Sequence, residues 1–135
     1  MKKLLVLLLF CFMAILTACA DVSSDIDGKE EQCINKVKST DAMLICTNAA
    51  QEAWENELDK YYGLLKKTLD EEDKVVLEKA QKAWLEYKEN QFDLINSVIL
   101  EKQGTMYINA ASGYRRRLVK QRAIELRTFY KTITE

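Results

Sequence analysis

The sequence contains no histidine and no proline, and only four of its 135 residues are glycine. Without histidine the chain lacks the usual acid–base group at neutral pH and the commonest metal ligand. Without proline, nothing in the sequence obliges a long helix to kink or end. A serine-centred nucleophile motif and a glycine-rich phosphate loop are also missing. These absences predict a helical protein that is not an enzyme and holds no metal or cofactor.

The first 18 residues have the pattern of a lipoprotein signal peptide. Two lysines precede a run from Leu4 to Ala18 that carries no charged side chain. The run is shorter than the ~20 residues that a membrane-spanning helix needs, and it suits the apolar core of a signal peptide. It ends in Leu16-Thr17-Ala18-Cys19, which resembles the lipobox read by lipoprotein signal peptidase. We therefore predict a signal peptide over residues 1–18 and a lipid anchor on Cys19.

The residues after Cys19 predict which membrane holds the lipid anchor and what kind of segment joins the anchor to the folded domain. Ala20 resembles the sorting pattern for an outer membrane, so a cell with two membranes would hold the protein there, facing the periplasm. Residues 20–28 are small, polar and acidic, a composition typical of a flexible segment. We expect a flexible tether over residues 19–28 and one helical domain over residues 29–135.

Of the four cysteines of the chain, two remain as candidates for a disulfide. Cys11 lies in the predicted signal peptide and Cys19 takes the lipid, which leaves Cys33 and Cys46. In an exported protein such a pair should be oxidised, and closing a loop of this size stabilises a fold by ~3 kcal/mol. Two cysteines without histidine argue against a structural zinc site. We therefore predict a Cys33–Cys46 disulfide.

Apolar residues recur at steps of three and four in three long segments, the spacing of amphipathic helices. The stripes are Ala50, Trp54, Leu58, Tyr61, Leu65 and Leu69; Leu77, Ala80, Trp84, Tyr87, Gln91, Leu94 and Val98; and Val119, Ala123, Leu126, Tyr130 and Ile133. A shorter helix over 29–38 would carry Cys33. Helix starts are expected at Ser39–Asp41, at Thr47 or Asn48, and between Met106 and Ser112. The pattern predicts an all-α fold, a small antiparallel bundle of three long helices plus a short disulfide-pinned N-terminal helical segment.

Charge is divided unevenly along the chain. Residues 20–73 hold 14 acidic and 6 basic side chains, whereas residues 74–135 hold 7 acidic and 12 basic ones. The split fits either a polar partner or solvated helix faces, and the negative total argues against nucleic-acid binding. Asp70, Glu71, Glu72 and Asp73 suit a connection followed by a helix N-terminus. We consider them candidate contacts for a basic partner.

A set of residues spread over most of the chain carries a family resemblance. The set is Cys33, Thr40, Met43, Cys46, Leu58, Tyr62, Gln81, Trp84, Tyr87, Arg122 and Leu126. Its order and spacing resemble the LprI-type lysozyme-inhibitor family, long described as a domain of unknown function. The resemblance covers roughly Cys33 to Tyr130. The signature aromatic residues fit the bundle core, while Gln81 and Glu55 fit either hydrogen bonds within the bundle or contacts with a ligand.

The chain departs from the family pattern at several positions. Asp59 stands where the family has Asn, Glu55 where it has Asp, and Lys88-Glu89 where it has Arg-Asp. A second cysteine pair of the family corresponds to Phe92 and Tyr114. Because both cysteines are replaced together, we expect these two rings to touch.

The resemblance implies an envelope-anchored, non-catalytic lipoprotein that binds a lysozyme and blocks its cleft. Lysozymes cleave glycans with carboxyl groups in a cleft. Many are basic, so the acid-rich half of the chain would speed and orient docking. The connection Asp70–Asp73 and the linkers near Ser39 and Gly104 are the possible plugs. The alternative is a structural or interaction lipoprotein of the envelope, such as an adaptor or a toxin-neutralising partner.

Overall fold

The computed structural model describes residues 22–135, and this part of the chain folds into four α-helices without a β-strand. Helix α1 spans Val22–Lys36, α2 spans Thr40–Thr68, α3 spans Glu71–Ile95 and α4 spans Thr105–Thr134. A single π-helical turn, Asn96–Leu100, continues α3. The predicted all-α bundle with three long helices is confirmed. The predicted signal peptide and Cys19 lie outside the described residues, and no helix within 22–135 is long and apolar enough to cross a membrane.

Helices α2 and α4 form the centre of the bundle and run parallel to each other. Near their starts Asn109 Nδ2 donates to the backbone oxygen of Thr40 over 3.1 Å, and near their ends the Tyr61 and Tyr130 rings lie 5.8 Å apart. Trp54, Val119 and Leu126 are the most deeply buried large side chains between them. Helix α1 packs antiparallel against α2, and α3 runs antiparallel to both central helices.

Helix α2 is continuous from Thr40, so the second helix start expected at Thr47 or Asn48 is wrong. Ser39 caps the helix as expected, because its hydroxyl accepts a hydrogen bond from the Ala42 amide. Asn48 lies inside this helix, and its side-chain oxygen accepts a 2.7 Å hydrogen bond from Ser112 of α4. The last helix begins at Thr105, directly after Gly104, whose φ of 123° favours glycine.

The predicted flexible tether is wrong for residues 22–28, which form the first half of α1. Ile26 is buried in the core, and the Asp27 carboxylate accepts a hydrogen bond from Lys120 of α4. One apolar anchor and long-range ion pairs therefore order a segment whose composition alone suggests flexibility.

The seam predicted for α3 is also wrong in register. Leu77 is buried as expected, but Tyr87, Leu94 and Val98 are 49%, 52% and 51% exposed, and Ala80 is exposed too. The inward face comprises Leu77, Gln81, Trp84, Lys88, Phe92 and Ile95. The interior accepts polar Gln81 because that side chain is hydrogen-bonded to α4. Three side chains of the predicted seam, Tyr87, Leu94 and Val98, therefore form an apolar stripe on the exposed side of α3.

Candidate functional site

Four of the family-signature residues line one groove between α2 and α3. Leu58 and Tyr62 come from α2, and Gln81 and Trp84 come from α3. Arg122 of α4 is joined to Gln81. The two remaining signature residues of these long helices lie elsewhere: Leu126 is fully buried in the core, and Tyr87 faces solvent on α3.

The groove encloses about 430 Å³ and has a buried floor with an acidic rim. Leu58, Gln81 and Val119 are buried at its floor. Tyr62, Trp84 and Lys88 are half-buried walls, and Glu55, Asp59 and Leu85 are exposed at the rim. Its volume lies within the range of about 300–1,000 Å³ that small-ligand sites occupy.

Three charged residues that depart from the family pattern, Glu55, Asp59 and Lys88, all line this groove. One oxygen of Glu55 accepts a 3.0 Å hydrogen bond from Gln51. Asp59 makes no ion pair or hydrogen bond with any of the described residues. The Lys88 ammonium lies 3.3 Å from Glu89 and 5.9 Å from the centre of the Trp84 ring. Sequence reasoning did not assign Leu85 to a site, since it falls outside every apolar stripe.

Gln81 and Arg122 make the buried polar contact beneath the groove. Arg122 donates from Nε and Nη2 to Gln81 Oε1 over 3.1 and 3.0 Å. It also donates from Nη1 to Glu125 over 2.6 Å. These partners compensate the Arg122 charge at a position that is only 7% exposed.

The four acids at the junction of α2 and α3, Asp70 to Asp73, have structural roles and are also exposed. The Asp70 carboxylate caps α3 by accepting a 2.9 Å hydrogen bond from the Asp73 amide. Glu71 pairs with Lys74 over 2.6 Å. The carboxylates of Glu72 and Asp73 have no cation partner among the described residues. They lie in the first turn of α3, where negative charge is stabilised by the helix dipole.

The predicted disulfide is present and ties α1 to α2. The Cys33 and Cys46 Cα atoms are 5.7 Å apart. One helical turn earlier on α1, Glu30 lies 3.1 Å from Arg116 of α4 and is buried. Burial raises the pKa of the Glu30 carboxyl above its ordinary 4.5, against the opposing effects of Arg116 and a hydrogen bond to Thr47.

Two of the three consecutive arginines at positions 115–117 of α4 contact other helices. Arg116 pairs with α1, and Arg115 donates to Asn96 in the π-helical turn. The expected Phe92–Tyr114 contact is not among the ring pairs of residues 22–135. Instead Arg115 lies 5.5 Å from the Phe92 ring centre, and Arg117 lies 5.0 Å from that of Tyr114. Within residues 22–135 no group of three or more acidic, cysteine or histidine side chains is placed to hold a metal ion.

The fold and the groove define a class: a small disulfide-bonded helical domain with an aromatic and acidic groove. Residues 33–126 match the family model described as Lysozyme inhibitor LprI, and the chain belongs to this family. No curated protein matches the chain.

Among solved structures, the chain is similar to the crystal structure of an uncharacterised protein from Burkholderia thailandensis, with 30% identity and a TM-score of 0.72. The similarity covers 78% of this chain and 53% of that one, so the match spans about half of the longer protein.

Proposed function

We propose that this chain is an envelope-anchored lipoprotein that binds a lysozyme and blocks its cleft without catalysing a reaction. The observation that carries the proposal is the match of residues 33–126 to a family described as lysozyme inhibitors. The described domain supports it further, because its acidic groups without cation partners suit a basic protein.

The corner between α2 and α3 is the surface that we assign to the contact. The two long helices are joined there through Leu69 and Asp70 alone, so the corner is a tight connection at one end of the bundle. The carboxylates of Glu72 and Asp73, which have no cation partner within residues 22–135, lie on it. An acidic end of the bundle suits a basic enzyme, and its field would raise the rate of encounter.

The test is inhibition of purified lysozymes by the full chain, with chicken-type, goose-type and invertebrate-type enzymes in parallel. We expect inhibition of at least one type. Neutralising the corner with Glu72→Gln and Asp73→Asn should weaken inhibition by about fivefold to tenfold at low salt, and should flatten its salt dependence. Asp41→Asn is the matched control, because Asp41 lies in the first turn of α2, at the opposite end of the bundle.

Two outcomes would contradict separate parts of the proposal. No inhibition of any lysozyme at a large molar excess would reject the inhibitor function. If the Asp41→Asn variant and the corner variant inhibit lysozyme equally strongly, the corner is rejected as the contact and the inhibitor function stands.

The anchor is part of the same proposal, with Cys19 as the residue that takes the lipid. In cells fed a labelled fatty acid such as palmitate, the chain should incorporate label and fractionate with the envelope. Cys19→Ala should abolish labelling, whereas Cys11→Ala should leave it intact. Labelling that persists in Cys19→Ala would reject this attachment site.

One observation favours the second candidate function, an interaction lipoprotein that binds an envelope protein other than lysozyme. The apolar stripe on the outside of α3 exposes Tyr87, Leu94 and Val98, and exposed apolar surface of this kind is a common feature of protein contacts. Inhibition of lysozyme by a variant with all three positions changed to serine would separate this surface from the inhibitor function.

A further inference from the structure

The groove between α2 and α3 has a hydrogen-bond donor without an acceptor among residues 22–135. Arginine only donates hydrogen bonds, so the Gln81 oxygen must be the atom that faces Arg122. It accepts two bonds there, at 3.1 and 3.0 Å. The Gln81 amide nitrogen therefore points away from Arg122, and it donates to none of the described residues. Gln81 is only 7% exposed and lines the groove, but its amide nitrogen is not among the fully buried atoms without a partner. The nitrogen therefore keeps access to solvent, and an occupant of the groove can accept a hydrogen bond from it.

The rim offers the opposite chemistry, acceptors in need of donors. Asp59 has no partner among residues 22–135, and Glu55 uses one oxygen for Gln51. The two carboxylates are four residues apart on α2, which puts them on one side of the helix with about 5–6 Å between their Cβ atoms. Neighbouring hydroxyl groups on one ligand can reach both carboxylates.

The walls favour a neutral ligand over a cation. Lys88 and Arg122 each lie 5.9 Å from the centre of the Trp84 ring, and Lys66 lies 5.8 Å from that of Tyr62. A further cation brought to these rings would be repelled by the cations already beside them. A purely apolar ligand would leave the Gln81 amide unsatisfied. Trp84 is half-buried and lines the groove, so the part of its ring that Lys88 and Arg122 leave open can contact the apolar face of a flat ligand.

We propose that this groove binds an N-acetylated sugar unit of a glycan. The acetamido carbonyl accepts from the Gln81 amide nitrogen, the ring hydroxyls donate to Asp59 and Glu55, and the apolar face of the sugar ring packs on Trp84. The inference is independent of lysozyme binding, since it depends on the groove and not on the α2–α3 corner.

The experiment adds chitotriose, a trimer of N-acetylglucosamine, to the full chain in a zwitterionic detergent that contains no sugar. Cellotriose is the matched control ligand, because it has the same linkage but no acetamido group. Trp84 lines the groove and Trp54 is only 1% exposed, so tryptophan fluorescence should report binding through Trp84. We expect a saturable change with chitotriose, an affinity at least about tenfold lower for cellotriose, and loss of the signal in Trp84→Phe.

Two variants test the assigned contacts. Gln81→Glu keeps the acceptor for Arg122 and removes both N–H donors, so chitotriose affinity should fall by about tenfold or more. Gln91→Glu, on the same helix but outside the groove, is its control. Asp59→Asn changes an exposed residue and should weaken binding severalfold even if Gln81→Glu perturbs folding.

Three results would overturn the proposal. They are no saturable change with chitotriose, equal affinity for cellotriose and chitotriose, and binding of trilysine in place of either sugar. The last result would assign the groove to a basic protein segment. Inhibition of lysozyme is measured separately, so failure of sugar binding leaves that function standing, and the reverse also holds.

Discussion

Gln81 of α3 accepts two hydrogen bonds from the Arg122 guanidinium of α4, one from Nε at 3.1 Å and one from Nη2 at 3.0 Å. Both residues are 7% exposed. The contact fixes the position of α3 against α4 at the level of the groove. It also explains why polar Gln81 faces inward on a helix that has apolar side chains on its outer surface.

The first prediction is that Gln81→Leu destabilises the fold. The change keeps the side chain near its original size but removes two hydrogen bonds to a buried cation. One such bond contributes about 1.5–3 kcal/mol, and because the two bonds are not additive we expect a total loss of the same order. Urea denaturation measures the loss. Gln121→Leu on the exposed side of α4 is the control and should change the free energy of unfolding by less than about 0.5 kcal/mol. Equal effects of the two changes would show that the Gln81–Arg122 contact does not hold the helices together.

A second prediction compares two leucines that sequence reasoning placed in the core. Leu126 is fully buried, and Leu94 is 52% exposed. Leu126→Ala should therefore cost about 2–5 kcal/mol, whereas Leu94→Ala should have almost no effect because alanine also favours a helix. Thermal or urea unfolding of both variants gives the comparison. A large loss for Leu94→Ala would mean that the outer face of α3 is covered in solution.

The third prediction concerns the buried carboxyl of Glu30. Its pKa is raised by burial, so the folded protein holds this proton more tightly than the unfolded chain does. The stability that it contributes is present at low pH and is lost as the pH rises from about the ordinary 4.5 through the raised value in the folded protein. Glu30→Gln should remove this loss, so that its stability relative to the unchanged protein increases with pH.

Urea denaturation between pH 4 and pH 7 measures this dependence. Glu31→Gln, at an exposed position next in sequence, is the control and should show no such trend. A Glu30→Gln variant that becomes relatively less stable with rising pH would indicate that the ion pair with Arg116 outweighs burial.

A fourth prediction concerns the disulfide. Cys33 and Cys46 close a short loop between α1 and α2, and opening it should lower the free energy of unfolding by about 3 kcal/mol. Comparing unfolding with and without a reducing agent measures the effect. The double change Cys33→Ser and Cys46→Ser should reproduce it, and should not respond to the reductant. A protein equally stable when reduced would show that ion pairs and Ile26 alone hold α1.

Much of the fold was predictable because its signals are local. The stripe from Ala50 to Leu65 is buried as expected, and the Ser39 cap marks the start of α2. The disulfide could be predicted because Cys11 and Cys19 are assigned to the signal peptide and the lipid anchor, and because an exported protein meets oxidising conditions. Each of these inferences depends on residues close together in the sequence or on a count.

The errors concern features set by distant residues. Helix α3 has apolar side chains on two adjacent faces, and the choice between them depends on Arg122, 41 positions from Gln81. The ordering of α1 depends on Lys120, 93 positions from Asp27. The groove followed only in part from the family signature. The resemblance named Leu58, Tyr62, Gln81 and Trp84, but only the packing of α2 beside α3 brings them together.

The pairing of α2 with α4 has a consequence for how the chain is made. The two helices share the most extensive contact in the domain, and their first hydrogen bond joins Thr40 to Asn109, 69 positions later. Until α4 has been synthesised, Trp54 and Leu58 lack the α4 members of their core cluster, Val119, Ala123 and Leu126. The core therefore stays incomplete until α4 has been synthesised, and until then the partly made chain is more easily kept unfolded by other proteins.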